Sequence, residues 1–88
     1  MAFLGANTEQ LRNLGTQLQT GSNEIEKQNS MLTRMLDGTD WKGPDADRFR
    51  NEWKSNHATA LAKVAQALAE AGKQASRNAQ QQEDASRG

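Results

Sequence analysis

The sequence predicts an all-α protein, an antiparallel helix-turn-helix hairpin, from three observations. Two long polar segments carry apolar residues at steps of three and four. The residues that break helices are gathered between them, near the midpoint, in Asp40-Trp41-Lys42-Gly43-Pro44-Asp45, which contains the sole proline. Ala, Gln, Glu, Lys, Asn and Arg dominate while β-branched residues are few, a composition that favours helix over strand. With 88 residues the chain supports one small domain, residues 1–88, and no large active-site cavity.

The first helix is expected over about residues 8–37. Asn7 or Thr8 can cap it: Asn7 precedes Gln10 by three residues in a capping-box arrangement, and Glu9 suits the positive helix start. Leu11, Leu14, Leu18, Gly21, Ile25, Gln28, Leu32 and Met35 then step alternately by three and four, an a/d heptad seam with Gly21 and Gln28 as exceptions. Met31 and Leu36 widen the stripe near its end, and Asp37-Gly38 offers a stop.

The turn occupies about residues 38–44. Gly43 permits a positive φ or a close backbone approach, and Pro44 disfavours helix in the residue before it. The second helix is expected over about residues 45–77, with Pro44 tolerated in its first turn and Asp45 and Asp47 complementing the macrodipole. Its apolar face runs through Ala46, Phe49, Trp53, Leu61, Val64 and Leu68, tapering to Ala71 and Ala75. Residues 78–88 hold nothing large to bury and read as a flexible tail.

Folding the two helices back about residue 41 makes facing residue numbers sum to about 82. That register sets Leu11 near Ala71, Leu18 near Val64, Gly21 opposite Leu61 and Gln28 opposite Trp53. On it, Gly21 makes room for Leu61 and Gln28 accepts from the Trp53 indole N–H. Two rods sharing one seam bury little, so a second hairpin is expected to cover the other flank, giving a dimer with four helices in an antiparallel bundle. The dimer or hairpin interface is expected to use Leu11, Leu14, Leu18, Gly21, Ile25, Gln28, Leu32, Met35, Phe49, Trp53, Leu61, Val64 and Leu68.

Composition also narrows the function. Eleven basic residues balance eleven acidic ones, which provides no global field for nucleic acid or an anionic membrane and points to protein partners. No apolar run approaches membrane-spanning length, and Met1-Ala2-Phe3-Leu4-Gly5 is too short and lacks the basic start of a signal peptide. Without cysteine there is no disulfide or thiolate chemistry. His57, the only histidine, has no carboxylate three or four residues on, and Ser55 falls on another helix face, so no metal or nucleophilic constellation forms. The chain reads as a non-enzyme without a cofactor. Asp47, Arg48, Arg50, Glu52 and Lys54 read as a solvated face of own-helix pairs. Trp41 can cover the end of the helix pair, serve recognition by another protein, or both.

A helix of about thirty residues, a central Trp-x-Gly at Trp41 and Gly43, and a second helix with an aromatic at Phe49, six residues past the glycine, together resemble the ESAT-like WXG family over nearly the whole chain. Members of that family are small substrates of the type VII secretion system. The resemblance implies homo- or heterodimers of antiparallel hairpins, export without a signal peptide as a folded dimer through an ATPase-driven machine, and a location outside the cell or in its envelope after a cytoplasmic stage. It assigns Trp41 and Gly43 to one half of the export signal. The other half is a Tyr-x-x-x-Asp/Glu motif just beyond the second helix of the adjacent subunit. This sequence has no tyrosine; Ala79 precedes Glu83 and Gln80 precedes Asp84 at that spacing. The alternatives are a partner that supplies the motif, a variant signal, or a cytoplasmic structural or adaptor hairpin with no export role.

Overall fold

The computed structural model describes residues 7–87, which form an all-helical hairpin about 66 Å long. Helix α1 spans Thr8–Gly38, α2 spans Pro44–Glu52, a π-helical turn follows at Trp53–His57, and α3 spans Ala58–Arg87. Residues 1–6 and Gly88, including the amino-terminal stretch weighed above as a leader, lie outside the described residues.

The helix ends follow local chemistry. Asn7 caps α1, its Oδ1 accepting from the Gln10 backbone N–H at 3.0 Å. At the other end, Thr39 is extended (φ −77°, ψ 131°), and its hydroxyl donates to the Met35 carbonyl at 2.6 Å. Gly43 adopts φ 117°, a region that strains any residue with a Cβ, and Pro44 opens α2 directly after it.

The helix pairing differs from the expected register. Gly15 meets Gly72, Ser22 Oγ donates to the Ala65 carbonyl at 2.6 Å, and Asn29 Nδ2 donates to the Ala58 carbonyl at 3.0 Å. Those residue numbers sum to 87; nearer the turn, Thr33 with Trp53 and Leu36 with Arg50 sum to 86. Gly21 therefore does not face Leu61, its nearest neighbour being Leu68, and the Trp53 indole N–H donates to Thr33 Oγ1 at 2.9 Å rather than to Gln28. The cause lies in the connector. By the observed register Pro44 stands level with position 42, so the segment after Gly38 carries the chain about 6 Å past the end of α1 before α2 begins, at about 1.5 Å per residue.

The seam itself is built from small residues seven apart: Gly15, Ser22 and Asn29 on α1 against Ala58, Ala65, Gly72 and Ala79 on α3. Ser22, Ala65 and Ala79 are fully or almost fully buried. Leu11, Leu18, Ile25, Leu61 and Leu68 flank this line and are half-buried. A Cβ on Gly15 would stand 2.7 Å from Ser76 Oγ and 3.0 Å from the Gly72 carbonyl oxygen, which measures how closely the backbones approach.

The stretch 78–87, expected as a flexible tail, is the last third of α3. Ala75 and Ala79 extend the seam, and Arg12 grips the helix beyond it. Its Nε and Nη2 donate to the two Glu83 carboxylate oxygens at 3.0 and 2.7 Å, and Nη2 also donates to Gln80 Oε1 at 3.1 Å. Small side chains are what let the helices stay in contact here, so the absence of large residues ends neither the helix nor the seam.

Candidate interaction surface at the turn and along one face

Arg50 organises the turn. Its guanidinium donates to the carbonyls of Trp41 at 2.7 Å, Thr39 at 2.9 Å and Leu36 at 3.3 Å, tying α2 to the connector and to the end of α1; the Leu36 and Thr39 carbonyls also accept from the backbone N–H groups of Thr39 and Trp41. Nothing in the sequence singles Arg50 out from the neighbouring charges. The cluster expected to form own-helix pairs is divided: Arg50 and Lys54 cross to α1, the latter reaching Asp37 at 3.2 Å, and only a long Arg48–Asp45 contact of 3.9 Å stays within α2.

With its carbonyl held, Trp41 lies against Phe49, ring centroids 5.5 Å apart and planes tilted by 56°. Trp41 nonetheless keeps 38% of its surface exposed and Phe49 50%. The two rings thus pack on each other yet stay partly open to solvent. Beside them, Leu32, Met35, Leu36, Thr39, Phe49 and Trp53 line an apolar cleft of about 270 Å³.

The rest of the surface follows from helix phase. Residues three beyond each seam position (Leu18, Ile25 and Leu32; Leu61, Leu68 and Ala75) lie on one side of the hairpin, and residues four beyond lie on the other. Outside the first group come Leu14, Gly21, Gln28 and Met35 on α1, with Phe49 and Val64 on the returning arm. Of the thirteen interface residues read from sequence, Leu14, Gln28, Leu32, Met35, Phe49 and Val64 are exposed, Met35 by 67%. Leu11, Leu18, Gly21, Ile25, Trp53, Leu61 and Leu68 are half-buried along the same side. The opposite side is polar, with Thr16, Gln19, Thr20, Lys73, Ser76 and Arg77 around an open cleft. The hairpin therefore has one apolar broad face and one polar broad face.

No catalytic arrangement is visible in these residues. His57 is exposed and its ring sits 6.1 Å from that of Trp53, while Ser55 Oγ donates to the Asn51 carbonyl. Among the described residues no three His, Cys, Asp or Glu side chains gather as a metal site, and no helix is long and apolar enough to cross a membrane.

No family model matches this chain, and neither a curated protein nor a solved structure matches it.

Proposed function

We propose that this protein is a small, non-enzymatic WXG-type hairpin that dimerises through its apolar face into a four-helix bundle. In this reading it is exported by a type VII secretion system as a folded dimer, as substrate or as secretion partner, needing no cofactor. The partner is a second copy or another WXG-type chain, and Trp41 and Gly43 meet the secretion ATPase. One observation carries the reading: an exposed aromatic turn, held by Arg50, is continuous with a one-sided apolar face. A lone hairpin has no use for that face in water, because exposed large apolar side chains in a contiguous patch mark an interface.

The strip from Leu11 to Met35 is about 36 Å long at about 1.5 Å per residue. Across the hairpin's 16 Å width its projected area comes to about 580 Å², before side-chain relief, against the roughly 800 Å² per partner of a standard interface.

The second reading, a cytoplasmic adaptor hairpin, is favoured by a different observation. The segment that would hold the tail half of an export signal lacks tyrosine and is packed as helix against α1.

The experiment follows wild type and Trp41→Ala into the culture supernatant of a secreting host. Circular dichroism verifies that the variant still folds, and light scattering measures the mass of the purified wild type. The reading expects dimeric mass, wild-type export, and loss of export in a folded variant. Wild type that stays wholly inside the cell removes the export claim, and a concentration-independent monomer removes the dimer.

A further inference from the structure

The seam around the π turn has a break in its spacing. Ala58 faces α1 with Leu61 half-buried beside it. Trp53 and Arg50 also face α1, with buried Ala46 one turn before Arg50 on the same stripe, but Trp53 and Ala58 are five residues apart where an unbroken α-helix repeats after three or four. Continuing the α3 pattern backward without interruption would instead bring Asn51, Lys54 and Asp47 to the seam, seven residues before Ala58, Leu61 and Lys54. Those side chains would put two charges and an amide where Arg50, Trp53 and Ala46 now sit, and would lose the Arg50 carbonyl clamp and the Trp53–Thr33 hydrogen bond.

We infer that the π turn is a phase corrector: it absorbs one surplus residue between Trp53 and Ala58, so that the block carrying Arg50 and Phe49 keeps the same azimuth as the long arm. The Ala58 backbone N–H donates to the Trp53 carbonyl, five residues back. Deleting one of the four intervening residues turns that same bond into an ordinary α-helical one and leaves both flanking faces where they are. The carbonyl that the wider turn frees is satisfied locally, Thr59 Oγ1 donating to the Lys54 carbonyl at 3.1 Å. The bulge therefore leaves that carbonyl paired while it keeps the phase. This concerns how the proposed interaction surface is held, whatever binds to it.

The test compares two single-residue deletions in a Trp41→Phe background, where Trp53 is the only tryptophan. Asn56 is exposed within the π turn, and Gln66 is exposed within regular α3. Deleting Asn56 should leave the Trp53 emission maximum unchanged, keep the helical dichroism, and give a melting temperature at or above the parent's, since π turns are unfavourable interruptions. Deleting Ser55 should behave alike. Deleting Gln66 rotates all that follows by about 100° and should lower the melting temperature by about 10 °C or more. A red-shifted Trp53 in the Asn56 deletion, or a fall in melting temperature as large as that caused by removing Gln66, overturns the inference. A Trp41→Phe parent that is monomeric at every concentration, with normal Trp53 emission in the Asn56 deletion, would count against the proposed dimer and not against the phase corrector.

Discussion

At the turn, the hairpin's helices are joined by large side chains that reach across a gap: Arg50 to three carbonyls, Trp53 to Thr33, Trp41 to Phe49. Toward the free end the backbones themselves approach, Gly15 against Gly72, with alanines continuing the line. The turn end obtains order from hydrogen bonds and aromatic area, and leaves its rings half open. The free end obtains it from small side chains at the seam, with Leu11, Leu14 and Leu18 beside that line on the apolar face. A hairpin built this way closes its two ends by different means and carries one apolar face between them.

The sharpest way to break that contrast is to put bulk where the backbones touch. Gly72→Leu would force a Cβ to within 2.9 Å of the Gly15 carbonyl oxygen, a backbone atom that no rotamer change can move. We expect about 2–3 kcal/mol of destabilisation and a fall in melting temperature of about 10 °C or more, measured by thermal circular dichroism. The same change at Gly21, where a Cβ meets only Leu68 Cδ1 at an ordinary 3.7 Å, should leave the hairpin folded.

A smaller effect is expected at the turn. Arg50→Ala removes the side-chain donor from the Trp41 carbonyl and the link to those of Leu36 and Thr39, which keep the backbone N–H groups of Thr39 and Trp41, and should cost about 1 kcal/mol, with a red shift of Trp41 emission in a Trp53→Phe background. Arg50→Lys should not restore it, because one ammonium cannot span three carbonyls as the planar fork does. Normal Trp41 emission in Arg50→Ala would mean that the rings, not the clamp, order the turn.

The smallest effect is at the free end. The hydrogen bonds from Arg12 hold the Glu83 carboxyl below its usual range, so the pair stabilises the folded chain above the ordinary glutamate range, and that contribution is lost as pH falls through the lowered folded value. Acidification should loosen the last turns of α3 in the wild type. Glu83→Gln should show the looser state already at neutral pH, seen as faster amide exchange after residue 79. Equal exchange in the two proteins at neutral pH would show that Ala75 and Ala79 hold the segment without the clamp.

Much of this was legible in the residues. Asn7 as a cap, Gly43 and Pro44 as the break, and helices from Thr8 and Pro44 follow from backbone chemistry local to each position. The leucine stripe was legible too, but its orientation was not. Leu11, Leu18 and Ile25 belong to two overlapping heptad patterns, one completed by Leu14, Gly21 and Gln28, the other by Gly15, Ser22 and Asn29. Hydrophobicity alone chooses the first pattern, whereas the hairpin uses the second for its seam. Two backbones can approach closely only where side chains are small, and Ser22 and Asn29 then find carbonyls across the gap.

The sequence by itself determined that there would be two helices, where they would break, and which side chains would seek cover. The tertiary structure decided which of those side chains stay exposed, that Arg50 serves α1 rather than its own helix, and that the final ten described residues remain helical. Each of those outcomes depends on the distance between two chain segments far apart in sequence, set by an extended connector that delays α2 by about one turn, and no local propensity carries that distance.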